Sequence, residues 1–306
     1  MPRSDAPNRA LVIGSLLTLW IVWGSTYLAL RWALEGFPPM LLNGIRFLFA
    51  GGALYLLIRR RFRATRAQMR NSFMAGGLML FGGVGMVTMA EHHGIGSAVA
   101  ATAIAVTPVW IGVASGLFGE WPGKREWVGL AIGLAGTVIL GMEGDFQASP
   151  VGLAYILAAP IIWSFASVWG TKLDVPADPL SNTAVQLTAG GVVMTLVGLL
   201  TGESITAMPS ARAWWALAYL AIVGSLLAYT AYIYLMHTVR PSLATSYAYV
   251  NPVVAVFLGV TLGGEKLSGA IYMALPLILV AIALVATAPA KQEAPRLEPE
   301  PAEQPA

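Results

Sequence analysis

The sequence predicts an all-α, polytopic membrane protein with ten transmembrane helices, arranged as two inverted repeats of five helices each. Three observations lead to this fold class. The chain has too few charged residues for a soluble protein, its apolar stretches are long enough to cross a bilayer, and its two halves repeat the same motifs in the same order.

The composition excludes an ordinary soluble domain. Of the 306 residues, 57% are hydrophobic and 11% are charged, and the mean hydropathy is +0.70. Soluble domains carry about 25% charged residues, so this chain has too little charge to cover its core with a wettable surface. Because the chain has no cysteine, a disulfide framework, a thiol nucleophile and a thiolate metal site are excluded as well.

The apolar stretches are long enough for membrane helices. Eight windows of at least twenty residues contain no Asp, Glu, Lys or Arg. A bilayer core needs about 20 apolar residues per helix, and neither an open sheet nor the short alternating strands of a barrel fit such runs. The ten predicted spans lie at about residues 10–30, 39–58, 71–90, 97–118, 127–142, 151–170, 181–201, 214–237, 242–262 and 269–288.

The first five spans form the first predicted repeat, residues 10–142. The first span is too long for the apolar region of a signal peptide, and no clear small-residue cleavage site follows it, so we expect it to be retained. The second carries one internal charge, Arg46. The third follows an arginine-rich segment, the fourth contains Pro108, and the fifth is the shortest.

The last five spans form the second predicted repeat, residues 151–288. The sixth to eighth are uncharged apolar runs, the ninth contains Pro252, and the tenth is followed by a charged tail. The tail, residues 289–306, is rich in Pro, Glu and Ala and has almost no bulky apolar residue. We expect it to be disordered and cytoplasmic.

The basic residues predict the orientation. With a cytoplasmic N-terminus, the inner segments carry 14 Lys and Arg residues and the outer segments carry 3. Cytoplasmic loops of membrane proteins are enriched in Lys and Arg, so both termini are predicted to face the cytoplasm. The arginine cluster at residues 59–70 is interpreted as a topology determinant that also touches anionic lipid, and not as a nucleic-acid site.

The two halves repeat each other. A shift of 140 residues places Trp23 on Trp163, and a shift of 144 places Pro108 on Pro252. A shift of 145 superposes the Gly-Glu pairs that begin at residues 119 and 264. Five spans per half invert the second half relative to the first. Inverted repeats are typical of secondary transporters, whose substrate site lies near the midplane beside interrupted helices, expected here in the spans of the two prolines.

The chain resembles a known family. The five-plus-five spans, the Trp-Gly-Ser-Thr run at 23–26 and the paired Pro and Gly-Glu motifs resemble the drug/metabolite transporter superfamily, in its EamA-type exporter branch. The resemblance covers residues 10–288 and implies two EamA-like repeats. Within the branch, the chain is most similar to YddG-type exporters. That similarity implies outward movement of aromatic and other neutral amino acids, although sister exporters of drugs and metabolites share the motifs.

Few ionisable residues lie inside the predicted spans. Arg46 is expected to snorkel toward the outer face or to pair with an interior carbonyl. Glu91, His92 and His93, at the outer end of the third span, are expected in an interfacial loop, with a proton relay as the alternative. No carboxylate lies in mid-membrane, which disfavours proton/drug antiport, and the single arginine disfavours phosphate exchange.

The predicted path is therefore neutral, aromatic and weakly polar. Each such residue also has a structural alternative. Trp and Tyr residues can anchor the span at the membrane interface, and Ser and Thr hydroxyls can bond carbonyls of their own helix. The candidate substrate-binding residues are Trp23 and Tyr27 on the first span, Met86 and Met89 on the third, Thr102 and Pro108 on the fourth, Trp163 and Ser167 on the sixth, Tyr232 on the eighth, and Ser246, Tyr249 and Asn251 on the ninth.

These features predict a bacterial-type inner-membrane exporter of small amphipathic metabolites, in particular neutral and aromatic amino acids, that works by alternating access. The alternative is a multidrug or cationic-compound exporter of the same superfamily. A membrane enzyme is disfavoured because the three histidines lie near span ends. We expect no cofactor, metal or nucleic acid, only a small-molecule substrate and the lipid bilayer. A monomer is expected, with a dimer left open.

Overall fold

The structure, a computed structural model, describes residues 8–95, 97–141, 149–263 and 270–288. All regular secondary structure in these ranges is helical. Six of the helices are long and apolar enough to cross a membrane, and the others are shorter. The helices are α1 Arg9–Leu34, α2 Pro39–Ile58, α3 Arg66–His92, α4 Ser97–Ile104, α5 Thr107–Leu117, α6 Lys124–Gly141, α7 Pro150–Lys172, α8 Pro179–Leu200, α9 Ala211–Thr238, α10 Pro241–Ala244, α11 Tyr247–Gly263 and α12 Ala270–Ala286.

Each predicted span contains helix, but the boundaries differ where caps decide them. The third helix begins at Arg66 and not near residue 71, because Thr65 caps its N-terminus. The Thr65 hydroxyl accepts from the amide of Gln68, whose side chain accepts from the amide of Thr65 in return. Such a capping box satisfies two free amides and extends the helix into the polar segment.

The predicted tail at 289–306 lies outside the described residues.

The fourth and ninth predicted spans each consist of two helices. The first interruption, at residues 105–106, comes just before Pro108, which lies in the first turn of α5. The second interruption, at residues 245–246, lies upstream of Pro252, which is inside α11. The expected interruption of the span of Pro252 is therefore present, but it lies upstream of the proline. The Thr245 and Ser246 hydroxyls bond carbonyls three or four residues back, and such bonds compete with the helical ladder.

Three of the long helices contain a π-helical segment. These segments lie at Leu19–Trp23 in α1, Leu80–Gly85 in α3 and Leu220–Leu227 in α9. The segments of α3 and α9 begin 140 residues apart, so they occupy equivalent positions in the two repeats. A π segment widens the helix and changes the carbonyls available to side chains, and such segments are frequent at functional sites.

Equivalent helices of the two halves pack on each other. Helix α2 packs along α8, and α6 packs along α12. A methyl group added at Gly51 of α2 would lie 2.7 Å from the Thr188 amide nitrogen, and one added at Gly191 of α8 would lie 2.6 Å from that of Leu48. These two glycines are 140 residues apart, so the same backbone approach occurs twice. Small residues allow helices in lipid to come this close.

Polar contacts join the helix ends at both ends of the bundle. At one end, they include the pairs Glu120–Lys172, Arg125–Thr287, Gln68–Asp174 and Glu126–Ser242. At the other end, they include Glu35–Arg212, Ser149 with the His93 carbonyl, and Glu203 with the amides of Met40 and Leu41. Successive long helices connect one set of ends to the other, so the chain runs back and forth through the bundle.

Candidate functional site

A cavity lies between the two halves of the chain. Its volume is about 100 Å³, which is room for several water molecules. The first half contributes α1 to α5 to its wall, and the second half contributes α7, α9 and α11. The wall includes Trp23, Thr26, Tyr27, Arg46, Gly83, Val84, Trp163, Gly224, Tyr229, Tyr247 and Asn251.

Aromatic rings form a continuous part of this wall. The ring of Trp23 packs edge-on against Tyr247 and Trp163, with centroids 4.6 and 5.7 Å away. Tyr232 lies behind Trp23 and Trp163, with centroids 5.3 and 5.2 Å away. Edge-to-face and tilted packing is the favourable arrangement for such rings. The rings therefore form a rigid apolar surface between helices of both halves.

Hydrogen bonds fix the polar atoms of these rings. Trp163 Nε1 donates to the Tyr232 hydroxyl at 3.1 Å, and that hydroxyl donates to Ser167 Oγ at 2.8 Å. The Tyr229 hydroxyl donates to Gln186 Oε1 at 2.7 Å. Because buried indole and phenol groups need partners, these bonds hold each ring in one orientation.

The π-helical segment of α9 supplies acceptors to two side chains from the other half. The Gly224 carbonyl accepts from Trp23 Nε1 at 3.0 Å. The Leu220 carbonyl accepts from Arg46 Nε at 3.2 Å and from the Ser225 hydroxyl at 2.9 Å. The wider π turn thus connects α9 to both α1 and α2 beside the cavity.

Arg46 is a buried cation on the cavity wall. Its side chain is 5% exposed, its Nε donates to Ser225 Oγ at 2.6 Å, and its guanidinium carbon lies 4.8 Å from the Phe47 ring centroid. The structure confirms pairing with an interior carbonyl, and snorkelling to the outer face was wrong. Among the described residues, no carboxylate pairs with Arg46 and no acidic side chain lines the cavity.

Asn251 is the second buried polar group of note on this wall. It is 1% exposed and lies beside the Tyr27 hydroxyl. Its Oδ1 atom has no hydrogen-bond partner within the part of the chain that the structure describes. A buried amide oxygen without a partner costs free energy, which a donor from a bound solute would recover.

Four of the predicted site residues line the cavity: Trp23, Tyr27, Trp163 and Asn251. Ser167 and Tyr232 lie one layer behind, on a smaller pocket that also borders Gln186. The substrate-binding roles of these six residues remain predictions.

The other predicted site residues lie elsewhere. Met86 and Met89 lie beyond the π segment of α3, and Met89 packs against the core. The side chain of Thr102 is outside the described residues. Pro108 is buried in the first turn of α5, and is not on the cavity wall. No cluster of three or more His, Asp or Glu side chains suited to a metal occurs in the described ranges.

Ser246 and Tyr249 bond away from the cavity. Ser246 Oγ accepts from Trp20 Nε1 at 3.1 Å, and the Tyr249 hydroxyl donates to the Leu130 carbonyl of α6 at 3.0 Å. Both were predicted as site residues on the ninth span. The interruption at residues 245–246 sets where α11 begins, and on that helix Tyr249 packs toward α6.

Sequence reasoning missed Tyr247 as a site residue and did not place Arg46 in the site. An isolated arginine in an apolar span was the available signal for Arg46. Tyr247 carried no such signal, because the direction of its side chain depends on where α11 begins.

Comparison with known proteins shows similarity over nearly the whole chain. The sequence profile of the EamA-like transporter family matches it twice, at residues 10–142 and 150–287. The chain is 44% identical over 276 residues to the uncharacterized inner membrane transporter YedA of Escherichia coli K12, with 90% of each chain covered. It is 26% identical to the uncharacterized transporter YvbV of Bacillus subtilis, with 96% of each chain covered. A solved crystal structure superposes with a TM-score of 0.75 at 25% identity, over 92% of this chain and 97% of the other.

Proposed function

The chain belongs to the EamA-like transporter family, and from this premise we propose that it exports small amphipathic metabolites, chiefly neutral and aromatic amino acids, across a bacterial inner membrane. It is a membrane transporter and not an enzyme. The inner membrane is proposed from the name of its relative YedA. The amino-acid substrates are proposed from the similarity to YddG-type exporters and from the chemistry of the cavity.

In the proposed mechanism, ten transmembrane helices form two inverted repeats, and both termini face the cytoplasm. The halves rock against each other around the cavity and expose it alternately to each side. The equivalent π segments of α3 and α9 and the equivalent glycine contacts of α2 and α8 support this symmetry. The protein works as a monomer in this proposal, because the two halves of one chain together supply the cavity wall.

One observation carries the proposal: a cavity between the halves, walled by Trp23, Trp163 and Tyr247. Aromatic rings accept apolar side chains of varied shape. The absence of acidic groups among the described wall residues suits a solute without net positive charge. A neutral amino acid has these properties.

The second candidate is an exporter of cationic compounds. The ring faces of Trp23, Trp163 and Tyr247 favour it, since aromatic cages bind cations. The buried Arg46 opposes it, because a second positive charge in the same cavity is repelled. Binding of a permanent cation would therefore need a compensating anion.

Counterflow in proteoliposomes tests the proposal. Vesicles containing the purified protein are loaded with unlabelled phenylalanine and then given labelled phenylalanine outside, with and without a pH gradient. We expect accumulation of label in both conditions, as a facilitator does not need the gradient. Trp163→Ala should reduce this exchange, and Trp215→Ala, at a side chain that is 78% exposed, should leave it unchanged. Exchange of an aromatic dication without exchange of any amino acid would favour the second candidate instead.

A further inference from the structure

We infer that Arg46 binds the carboxylate of the transported solute, so that the substrates are carboxylates with an apolar or aromatic side chain. The inference rests on the proposed function, because it assigns a residue and a substrate class to the same cavity. It assigns Arg46 a role in binding, beyond the structural pairing that its Nε makes.

The hydrogen bonds of Arg46 leave its two terminal nitrogens free. Nε donates to Ser225 Oγ and to the Leu220 carbonyl. The terminal nitrogens Nη1 and Nη2 make no hydrogen bond and no ion pair among the described residues, while the side chain lines the cavity. A guanidinium has five N–H donors in a planar fork that matches a carboxylate. The two terminal nitrogens at the free edge can each donate to one oxygen of the same carboxylate.

A buried cation without a counter-ion needs an anion. Taking a charge out of water is costly unless it is paired, and ionisable residues inside membranes are retained chiefly for function. Three cations among the described residues have acidic partners: Arg212 pairs with Glu35, Lys172 with Glu120, and Arg240 with Glu126. Arg46 differs because the space in front of it is the cavity itself. A solute carboxylate would supply the missing charge.

The position of the guanidinium is fixed before a solute arrives. Ser225 and the Leu220 carbonyl hold Nε, and the Phe47 ring lies beneath the guanidinium. A methyl group added at Gly224 would lie 3.2 Å from Arg46 Nη2, so Nη2 lies close against the π segment. The Gly224 carbonyl also anchors Trp23. A carboxylate bound at Nη2 would therefore place its side chain next to the aromatic wall.

The same cavity offers an acceptor for an ammonium group. Asn251 Oδ1 lacks a partner in the described ranges, and Tyr27 lies beside that amide. An α-amino acid could then use both polar groups: its carboxylate at Arg46 and its ammonium at Asn251. Since the charge of Arg46 has no partner and the oxygen of Asn251 is neutral, the carboxylate contributes more of the affinity.

A competition series with the unmodified protein tests the substrate class. Phenylalanine, phenylalaninamide and 3-phenylpropionate are compared as inhibitors of labelled phenylalanine counterflow. We expect phenylalanine and 3-phenylpropionate to compete, and phenylalaninamide to compete roughly 10-fold to 100-fold less well, the range for a charged hydrogen bond. Equal competition by phenylalaninamide overturns the inference and leaves the proposed function standing. The absence of any amino-acid exchange overturns the proposed function.

Variants then test the residue. Arg46→Gln should reduce the apparent affinity for phenylalanine by a similar factor and remove the preference for phenylalanine over phenylalaninamide. Arg46→Lys should restore part of that preference. Arg31→Gln makes the same charge change at an exposed position on α1 and should leave it intact. Ser225→Ala removes a positioning contact of Arg46 Nε, leaves the Leu220 carbonyl as its acceptor, and should raise KM with exchange retained. An undiminished preference in folded, monodisperse Arg46→Gln overturns the inference.

Discussion

A methyl group added at Gly83 tests the position of Trp163 in the cavity wall. Gly83 lies in the π segment of α3, and a Cβ atom there would lie 2.4 Å from Cε3 and 3.2 Å from Cβ of Trp163. Carbon atoms in contact lie about 3.5–4.0 Å apart, so the indole must move by about 1 Å. That movement strains the bond from Trp163 Nε1 to the Tyr232 hydroxyl.

The expected cost follows from these two effects. Overpacking a filled site costs about 1–3 kcal/mol, and a weakened hydrogen bond adds about 1 kcal/mol. We therefore expect Gly83→Ala to lower the free energy of unfolding by about 2–4 kcal/mol. Gly77→Ala is the matched control on the same helix, because its Cβ would lie 3.4 Å from Val193 and 4.0 Å from Ala189. These are ordinary contacts, and we expect a change below about 0.5 kcal/mol.

Two assays separate stability from function. Unfolding by SDS in mixed micelles, followed by tryptophan fluorescence, gives the free energy of unfolding of each variant. Counterflow of phenylalanine gives KM, which should rise for Gly83→Ala because the displaced indole enters the cavity. If Gly83→Ala and Gly77→Ala unfold at the same SDS concentration with the same KM, the placement of Trp163 against α3 is refuted.

Three further substitutions test other parts of the structure. Glu203→Gln weakens the carboxylate cap on two backbone amides at the start of α2, and SDS unfolding should show a loss of about 0.5–2 kcal/mol; no loss would contradict the cap. Tyr249→Phe removes the bond to the Leu130 carbonyl and should cost about 0.5–1.5 kcal/mol with no change in the KM of counterflow; a raised KM would instead place Tyr249 in the site. Lys172→Ala breaks the exposed pair with Glu120 and should change stability by less than about 1 kcal/mol; a larger loss would show that this pair joins the halves.

Hydropathy and repetition predicted much of the fold. Long uncharged windows fix where helices form, because lipid requires each backbone group to bond within its own segment. Helix ends were less predictable, since the capping box at Thr65 lies in a polar segment without an apolar signal. Pro252 indicated an interrupted ninth span but not where the interruption lies, because hydroxyl bonds at Thr245 and Ser246 break the helix upstream of the proline.

The site was predicted only in part, because the side chains that face the cavity depend on where each helix begins and where it is interrupted. The repeat identified Trp23 and Trp163, which lie on the cavity wall. The π segment of α9 could not be predicted from hydropathy, although it creates the acceptor for Arg46 at the Leu220 carbonyl. Tyr249 was predicted as a site residue but bonds the Leu130 carbonyl of α6, because its direction depends on where α11 begins.

The π segments also bear on the proposed mechanism. Alternating access requires helices that bend or slide near the cavity. The segments of α3 and α9 border the cavity, where they supply Gly83 and Gly224 to its wall. Because equivalent helices carry them, a movement of one half has a counterpart in the other.

Substrate protection of a single cysteine tests the central claim, that the solute occupies the cavity between the halves. The chain has no cysteine, so Val84→Cys introduces a unique thiol on the cavity wall, and Met208→Cys introduces one at a side chain that is 87% exposed. The rate of labelling by a small water-soluble thiol reagent is measured with and without phenylalanine. At ten times its Kd, phenylalanine should slow labelling at position 84 by about 10-fold and leave position 208 unchanged. Equal rates at position 84 with and without phenylalanine, in a protein that still exchanges it, would contradict the claim.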